Sequence, residues 1–198
     1  MREIITPHEE PVQPVTEVKN ALLQSSLSQL RASGLCARYV ALVDPRVPRD
    51  IEATLAMSWV PVQLAITHYQ ACDRMALEED ALQALGSGVG DRMQQMSLVS
   101  SAKTTSIIPG ALWASAGPLR RMWARHYRGG SVQVVKLGAC EMELGLRGFV
   151  LNQFRYFRQA QLSAIAVAFA AIGARDTSVK LDLYNSVKDE LKLRISWR

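Results

Sequence analysis

The pattern that most constrains the fold lies in the last seventy residues, which indicate two strands, a helix and two more strands. Residues 131–137 are rich in valine, and Met142, Leu144 and Leu146 alternate with smaller or charged residues. Residues 179–183 and 191–197 alternate in the same way. Such alternation is typical of strands in an antiparallel sheet with one buried face. We expect the helix predicted over residues 152–172 to cover that face, with its core positions at Leu162, Ile165, Phe169 and Ile172.

Residues 18–130 predict a layer of helices. The spacing of apolar residues indicates helices over 18–33, 50–57, 58–75, 78–85, 91–98 and 118–128. Gly86, Gly88 and Gly90 lie between two of these and predict a helix-to-helix turn, because a phosphate-binding loop would follow a strand and carry a lysine. Residues 1–17 contain three prolines and predict a flexible arm.

These elements predict an α+β fold, in which an N-terminal helical layer precedes a β-β-α-β-β unit with a four-stranded antiparallel sheet packed on a long helix. Residues 18–198 would form one domain, with a helical part at 18–130 and the ββαββ part at 131–198. A chain of 198 residues with 48% hydrophobic composition is long enough to bury such a core.

Positive charge is concentrated in residues 118–158, which carry eight Lys and Arg against two acids. A basic segment of this kind can meet an acidic protein or a nucleic acid. Its charge density is below that of nucleic-acid-binding arms, so nucleic acid ranks behind a protein partner. The candidate partner-binding residues are six arginines: Arg120, Arg121, Arg125, Arg128, Arg155 and Arg158.

Local signatures of catalysis are missing from the sequence, which has no Gly-x-Ser-x-Gly and no cysteine with an evident base. We therefore assign no catalytic residue and expect a non-enzymatic protein. His68 and Cys72 are four residues apart and could face one ligand, or could pack as ordinary core residues. A zinc site needs four ligands, and the sequence places no third or fourth one, so we assign no metal ligand.

Candidate ligand-binding residues are His68 and Cys72 with their neighbour Tyr69, together with Trp113 and Trp123, which could line a pocket or belong to the core. The N-terminus does not look like a signal peptide, and the longest apolar run, residues 162–174, is shorter than the roughly 20 residues of a spanning helix. Three widely spaced cysteines favour reduced thiols. We therefore expect a cytoplasmic protein without membrane insertion.

Several short segments resemble a myxobacterial paralogous family of unknown function. They are Leu22-Leu23-Gln24-Ser25-Ser26-Leu27, Ser58-Trp59-Val60-Pro61, His68-Tyr69-Gln70-Ala71-Cys72-Asp73, Gly86-x-x-Val89-Gly90, Trp123, Gly148-Phe149 and Tyr156-Phe157-Arg158. The resemblance extends over nearly the whole chain after residue 18, and the order and spacing of the segments carry it.

The order of elements also resembles the fold shared by haem-nitric-oxide-binding domains, vinyl-reductase-type sensor domains and small TRAPP trafficking subunits. This resemblance implies a hydrophobic pocket between helices and sheet, and dimerisation. The chain lacks an alignable Tyr-x-Ser-x-Arg motif and the paired cysteines of a metal site. We therefore expect neither haem nor zinc, and no other cofactor.

Three functional hypotheses follow. The leading one is a regulatory domain that senses a small apolar ligand between helices and sheet, as a homodimer. The second is a protein-interaction module that uses a dimer and the basic segment 118–158 against an acidic partner. The third is nucleic-acid binding, which ranks last.

Overall fold

A computed structural model of the chain describes residues 2–96, 113, 116–171, 174–187 and 189–198. The strands predicted at the C-terminal end are present as two antiparallel hairpins. They are β5 (Ser131–Gly138), β6 (Glu141–Arg147), β7 (Ser178–Asn185) and β8 (Glu190–Ser196). The α+β architecture is as predicted.

The register of these strands places their alternating apolar residues on one face of the sheet. Leu144 of β6 lies between Val134 of β5 and Leu193 of β8, and all three are fully buried. Met142 and Leu146 occupy the same face on either side of Leu144 and are also buried. The core of the domain therefore lies against this face, as the alternation of period two requires.

The main sheet has five strands in the described residues, where the sequence predicted four. The additional strand is β1 (Glu3–Thr6), at the edge of the order β1-β5-β6-β8-β7. It comes from the segment that the sequence predicted as a flexible arm, and it pairs with β5 through Glu3 opposite Lys136 and Ile4 opposite Val135. Four residues whose partner is about 130 positions away leave no local sequence signal.

The long helix α7 (Arg155–Ala171) packs on the apolar face, and Phe169 meets Trp197 with 5.7 Å between ring centroids. The helix begins three residues later than predicted because Val150–Gln153 form a 3-10 turn first. The carboxylate of Asp73 accepts hydrogen bonds from the backbone N–H groups of Arg155 and Tyr156, at 2.8 and 2.6 Å, and so caps the first turn. The predicted core position Ile172 is outside the described residues.

The helical layer contains α1 to α6, and a small three-stranded sheet joins it to the rest of the chain. The helices are α1 (Asn20–Ala32), α2 (Cys36–Val40), α3 (Arg46–Ala53), α4 (Val62–Arg74), α5 (Glu79–Met96) and α6 (Ala116–Ala124). The strands of the small sheet are β2 (Glu17–Lys19), β3 (Trp59–Pro61) and β4 (Tyr127–Arg128). In the described part of the chain, no helix has both the length and the hydropathy needed to cross a membrane.

Several helix boundaries in this layer differ from the prediction. The helix predicted over 118–128 ends at Ala124, because Tyr127–Arg128 pair with β2 as a strand. Helix α3 starts at Arg46, before the predicted position near residue 50, because Asp44 accepts a hydrogen bond from the Arg46 N–H at 2.9 Å and holds the first turn. Helix α4 starts at Val62 because the residues before it, Trp59–Pro61, pair with β2.

The glycines predicted to form a turn lie inside α5, which runs unbroken from Glu79 to Met96. Gly86 faces α7 so closely that a Cβ atom there would be 2.7 Å from the Cα of Ala160. Gly86 therefore allows two helices to approach, and the turn prediction is wrong because close packing and chain reversal favour the same residue type. The predicted helix end at Leu98 lies outside the described residues.

Replacement by alanine should change the stability of the protein in opposite directions at Gly86 and Gly88, because these two glycines of α5 have different neighbours. We expect Gly86→Ala to lower the free energy of unfolding by about 1 kcal/mol, because overpacking against backbone exceeds the gain in helix propensity. Gly88→Ala should raise it by about 0.5 kcal/mol, because only the end of the flexible Gln29 side chain must move. Urea denaturation of both variants measures this, and changes of equal sign would contradict the packing described here.

Candidate functional site

Three of the predicted ligand-binding residues lie in a fully buried polar cluster between the helices. His68 of α4 places Nδ1 2.8 Å from the hydroxyl of Tyr39 and Nε2 2.9 Å from Oγ of Ser26. Ser26 Oγ is also 3.0 Å from the hydroxyl of Tyr156, which belongs to α7. The cluster therefore connects α1, α2, α4 and α7 through hydrogen bonds inside the core.

Burial determines the protonation of this cluster. It lowers the pKa of His68 to about 3 and raises the pKa values of Tyr39 and Tyr156 above their ordinary range. A neutral imidazole donates at one nitrogen and accepts at the other, which matches its two hydroxyl neighbours. His68 is therefore a neutral, hydrogen-bonded core histidine near physiological pH.

Tyr69 and Cys72 complete the same cluster by packing. The Tyr69 ring lies 5.0 Å from the His68 ring and 5.0 Å from that of Phe157, and Cys72 Sγ is 3.8 Å from Nε2 of His68. Burial raises the pKa of the Cys72 thiol well above its ordinary value, so the sulfur is a poor nucleophile. The structure thus brings His68, Tyr69 and Cys72 together, in the form of a closed core.

Trp113 lies away from this cluster, at one end of the main sheet. Its Nε1 donates a hydrogen bond of 2.8 Å to the carbonyl of Ala139, and its ring lies 5.4 Å from that of Trp197. The Lys136 ammonium lies 5.1 Å from the Trp113 ring centroid. Trp113 therefore contacts the β5–β6 hairpin and does not share a site with His68.

A cavity of about 320 Å³ lies beneath the N-terminal arm, between α6 and the start of β5. Residues 9–13 of the arm, here called the arch, form its outer wall. The N–H of Glu9 donates to Ser131 Oγ at 2.8 Å, and the N–H of Gly130 donates to the carbonyl of Gln13 at 2.7 Å. The arch is thus fastened at both ends, and the cavity is the space left under it. We refer to it as the arch cavity.

The inner wall of the arch cavity is aromatic. Trp123 of α6 lines it together with Tyr127 and Phe149, whose ring centroids are 5.2 Å apart. Trp123 is 7% exposed, and among the described residues its Nε1 has no hydrogen-bond partner. The indole ring therefore contributes an apolar surface to the cavity, while its N–H group is enclosed.

One cation also lines the arch cavity. Arg120 lies one helical turn before Trp123, so both side chains occupy the same face of α6. Its guanidinium forms an ion pair with the carboxylate of Glu9 in the arch. The sequence assigned Trp123 to a ligand pocket and Arg120 to a basic patch, whereas the structure places both in one cavity wall.

The six arginines of the predicted basic patch have different surroundings. Arg128 pairs with Glu17 and lies 4.6 Å from the Trp59 ring centroid, Arg155 donates to the carbonyl of Leu77, and Arg158 donates to those of Asn152 and Gln153. Arg121 on α6 and Arg125 in the turn after it are exposed. Several of these guanidinium groups therefore contribute to the fold itself, which leaves the predicted partner surface smaller than the sequence implied.

Comparisons with known proteins identify the fold. No family model and no curated protein matches the chain, so the resemblance to a myxobacterial family stays a prediction. Solved structures of H-NOX domains do match. An H-NOX protein from K. algicida in the Fe(II) unliganded state is similar with a TM-score of 0.64 and 10% identity, over 91% of this chain and 96% of that one.

Two further H-NOX structures give the same result. An H-NOX protein from S. oneidensis in the Fe(II)NO state has a TM-score of 0.62 and 11% identity, over 91% of this chain and 99% of its own. An oxygen-binding H-NOX domain related to soluble guanylate cyclases has a TM-score of 0.58 and 8% identity, over 91% and 95%. The chain therefore has the H-NOX fold, which the order of its elements had indicated.

The expectation that the chain takes no haem must be corrected. Another matched structure concerns the modulation of haem redox potential by porphyrin distortion, and others are in Fe(II) states. A missing motif cannot exclude haem when haem proteins share the fold at about 10% identity. The sequence argument was therefore wrong to discard haem.

His8, His68 and Cys72 can be tested as ligands of a haem iron. Both nitrogens of His68 are hydrogen-bonded, and the thiol of Cys72 stays protonated. His8 lies on the other face of the sheet, with Nδ1 3.0 Å from Ser131 Oγ and with Nε2 3.3 Å from the place of a Cβ on Gly145. These three residues do not fit a haem iron. Where the structure is described, no group of three His, Cys, Asp or Glu residues could hold a metal ion.

Proposed function

We propose that this chain is a ligand-sensing domain without enzymatic activity, and that it holds a small, largely apolar ligand in the arch cavity. The proposal rests on the arch cavity. Aromatic rings form its inner wall, and its outer wall is the arch, which a few hydrogen bonds and ion pairs hold in place. Its volume lies at the lower end of the range typical of small-molecule sites, which are mostly apolar with a few placed polar groups. The H-NOX fold supports a sensor in general terms.

The arch supplies the sensing element. It is covalently continuous with β1, so a ligand that displaced residues 9–13 would also pull on the edge of the main sheet. The segment that follows is held by Val15, whose N–H donates to the carbonyl of Gly148 at 2.8 Å. A ligand that binds differently to the fastened and released states of the arch shifts the equilibrium between them.

We propose no enzymatic activity because of the protonation states and burial of the candidate catalytic side chains. His68 and Cys72 are the residues most suited to act as base and nucleophile, but both are enclosed and neutral. The arch cavity offers a guanidinium and aromatic rings, which bind and orient a molecule without transferring protons.

Ligand retention tests this function. Native mass spectrometry of the freshly purified protein, with an absorption spectrum and a haem titration, should reveal one small molecule bound per chain. Ala124→Trp, at the end of α6 beside the cavity, should reduce that binding by about tenfold by filling space. Ala53→Trp is the matched control, because Ala53 is also exposed at the last position of a helix.

The outcomes separate clearly. A retained molecule that is largely lost from Ala124→Trp and is kept by Ala53→Trp would support a sensor that uses this cavity. A protein that retains nothing and takes up neither haem nor small aromatic and aliphatic molecules would contradict ligand sensing. Equal binding by the wild type and both variants would contradict the assignment to the arch cavity.

A further inference from the structure

We propose, on the basis of the function above, that the ligand of the arch cavity is a small organic acid with a flat apolar body. Its carboxylate would replace the carboxylate of Glu9 on Arg120. The chemical class of the ligand follows from the cation and the aromatic wall that the cavity brings together.

Arg120 is the group that selects an acid. The planar guanidinium presents paired N–H donors that match a carboxylate, and the protein already satisfies them with one, that of Glu9. The Glu9 side chain is 58% exposed and the Arg120 side chain 38%, so this ion pair is one that water and salt weaken. A carboxylate that arrives with its own apolar body can displace Glu9, because burial of that body adds binding energy that Glu9 does not contribute.

The shape of the ligand follows from the opposite wall. Trp123, Tyr127 and Phe149 present ring faces and edges, which favour a flat body over a branched one. The floor is close-packed at Gly130, where a Cβ would lie 2.4 Å from the ring of Phe149, so the ligand has no room to extend there.

Replacement of the Glu9 carboxylate by the ligand on Arg120 would also couple ligand binding to the conformation of the N-terminal arm. When the ligand holds Arg120, the carboxylate of Glu9 loses that partner, and the arch keeps other contacts, which include those with Ser131, Gly130 and Arg147. Binding of an acid would therefore weaken the attachment of the arch at Glu9. This is the conformational signal that a neutral ligand of the same size would not produce.

Calorimetric titration with 2-naphthoate and its neutral analogue 2-naphthamide tests the proposal. The acid should bind the wild type about tenfold more tightly than the amide. Arg120→Gln should abolish that preference, whereas Arg121→Gln, its exposed neighbour outside the cavity wall, should preserve it. Glu9→Gln should tighten the binding of the acid by about threefold, because it removes the competing carboxylate.

Glu9→Gln and Arg120→Gln should change the affinity for the acid in opposite directions. If the ion pair were only structural, both substitutions would weaken binding. Equal affinity for acid and amide, or equal behaviour of Arg120→Gln and Arg121→Gln, would overturn the acid assignment and leave ligand sensing intact. Failure of both probes to bind while a neutral molecule is retained would also overturn the acid alone. Failure of both probes with nothing retained would overturn the sensor function as well.

Discussion

Replacing Gly129 with alanine will lower the free energy of unfolding by about 3 kcal/mol. Gly129 has φ of +88°, and a Cβ there would lie 2.2 Å from the carbonyl oxygen of Pro14. The left-handed backbone costs a side-chain-bearing residue about 1–2 kcal/mol, and overpacking adds about 1–3 kcal/mol. The atoms in the way belong to the backbone of the arm, so the arm must move to admit the methyl group.

Gly34→Ala is the matched control for this prediction. Gly34 also has a positive φ, of +70°, but no atom lies within 4 Å of the place of its Cβ. Its replacement should therefore cost only the backbone term, about 1 kcal/mol. Urea denaturation of both variants measures the difference, and limited proteolysis should show faster cleavage of the arm in Gly129→Ala alone. Equal costs at the two positions would mean that the arm does not pack against β4 and β5 as described.

The second large effect is a loss of stability at acidic pH that originates from His68. Its pKa is about 3 in the folded protein and 6.5 ordinarily, so between these values the unfolded chain takes up a proton that the folded chain excludes. Stability from this residue is therefore complete above pH 6.5 and falls as the pH is lowered towards 3. The slope is about 1.4 kcal/mol per pH unit, which gives about 2 kcal/mol between pH 7 and pH 5.

The comparison with His68→Gln isolates that effect, because the carboxylates of the two proteins titrate alike. The stability advantage of the wild type over His68→Gln should shrink by about 2 kcal/mol when denaturation is repeated at pH 5 instead of pH 7. Tyr39→Phe is the control, since it removes one hydrogen bond at both pH values and leaves the buried imidazole to titrate. An advantage that stays constant with pH would mean that His68 is not enclosed.

The strands were predictable because alternation is a local signal that burial of one sheet face imposes. Leu144 and Leu193 each alternate with polar or small residues, and both lie on the face against the helices. The strand at Glu3–Thr6 and the unbroken helix α5 were not predictable in the same way. Their formation depends on β5 and on Ala160 of α7, which are distant in sequence.

The candidate site was only partly predictable. The spacing of Arg120 and Trp123 on one helix face was visible, but the arch that encloses them comes from residues more than one hundred positions earlier. The residue types and spacing of His68 and Cys72 predicted a ligand site, but both side chains are buried and belong to the core. The homodimer and the acidic partner stay predictions, for which light scattering at low and high salt is the direct test.

A crystal structure of the protein with 2-naphthoate would test most directly whether the arch cavity is the ligand site. We predict electron density for the ligand under residues 9–13, with its carboxylate about 2.7–2.9 Å from the guanidinium of Arg120 and its rings beside Trp123. Density located elsewhere, or an unfilled cavity with Glu9 still paired to Arg120 at saturating ligand, would contradict the account.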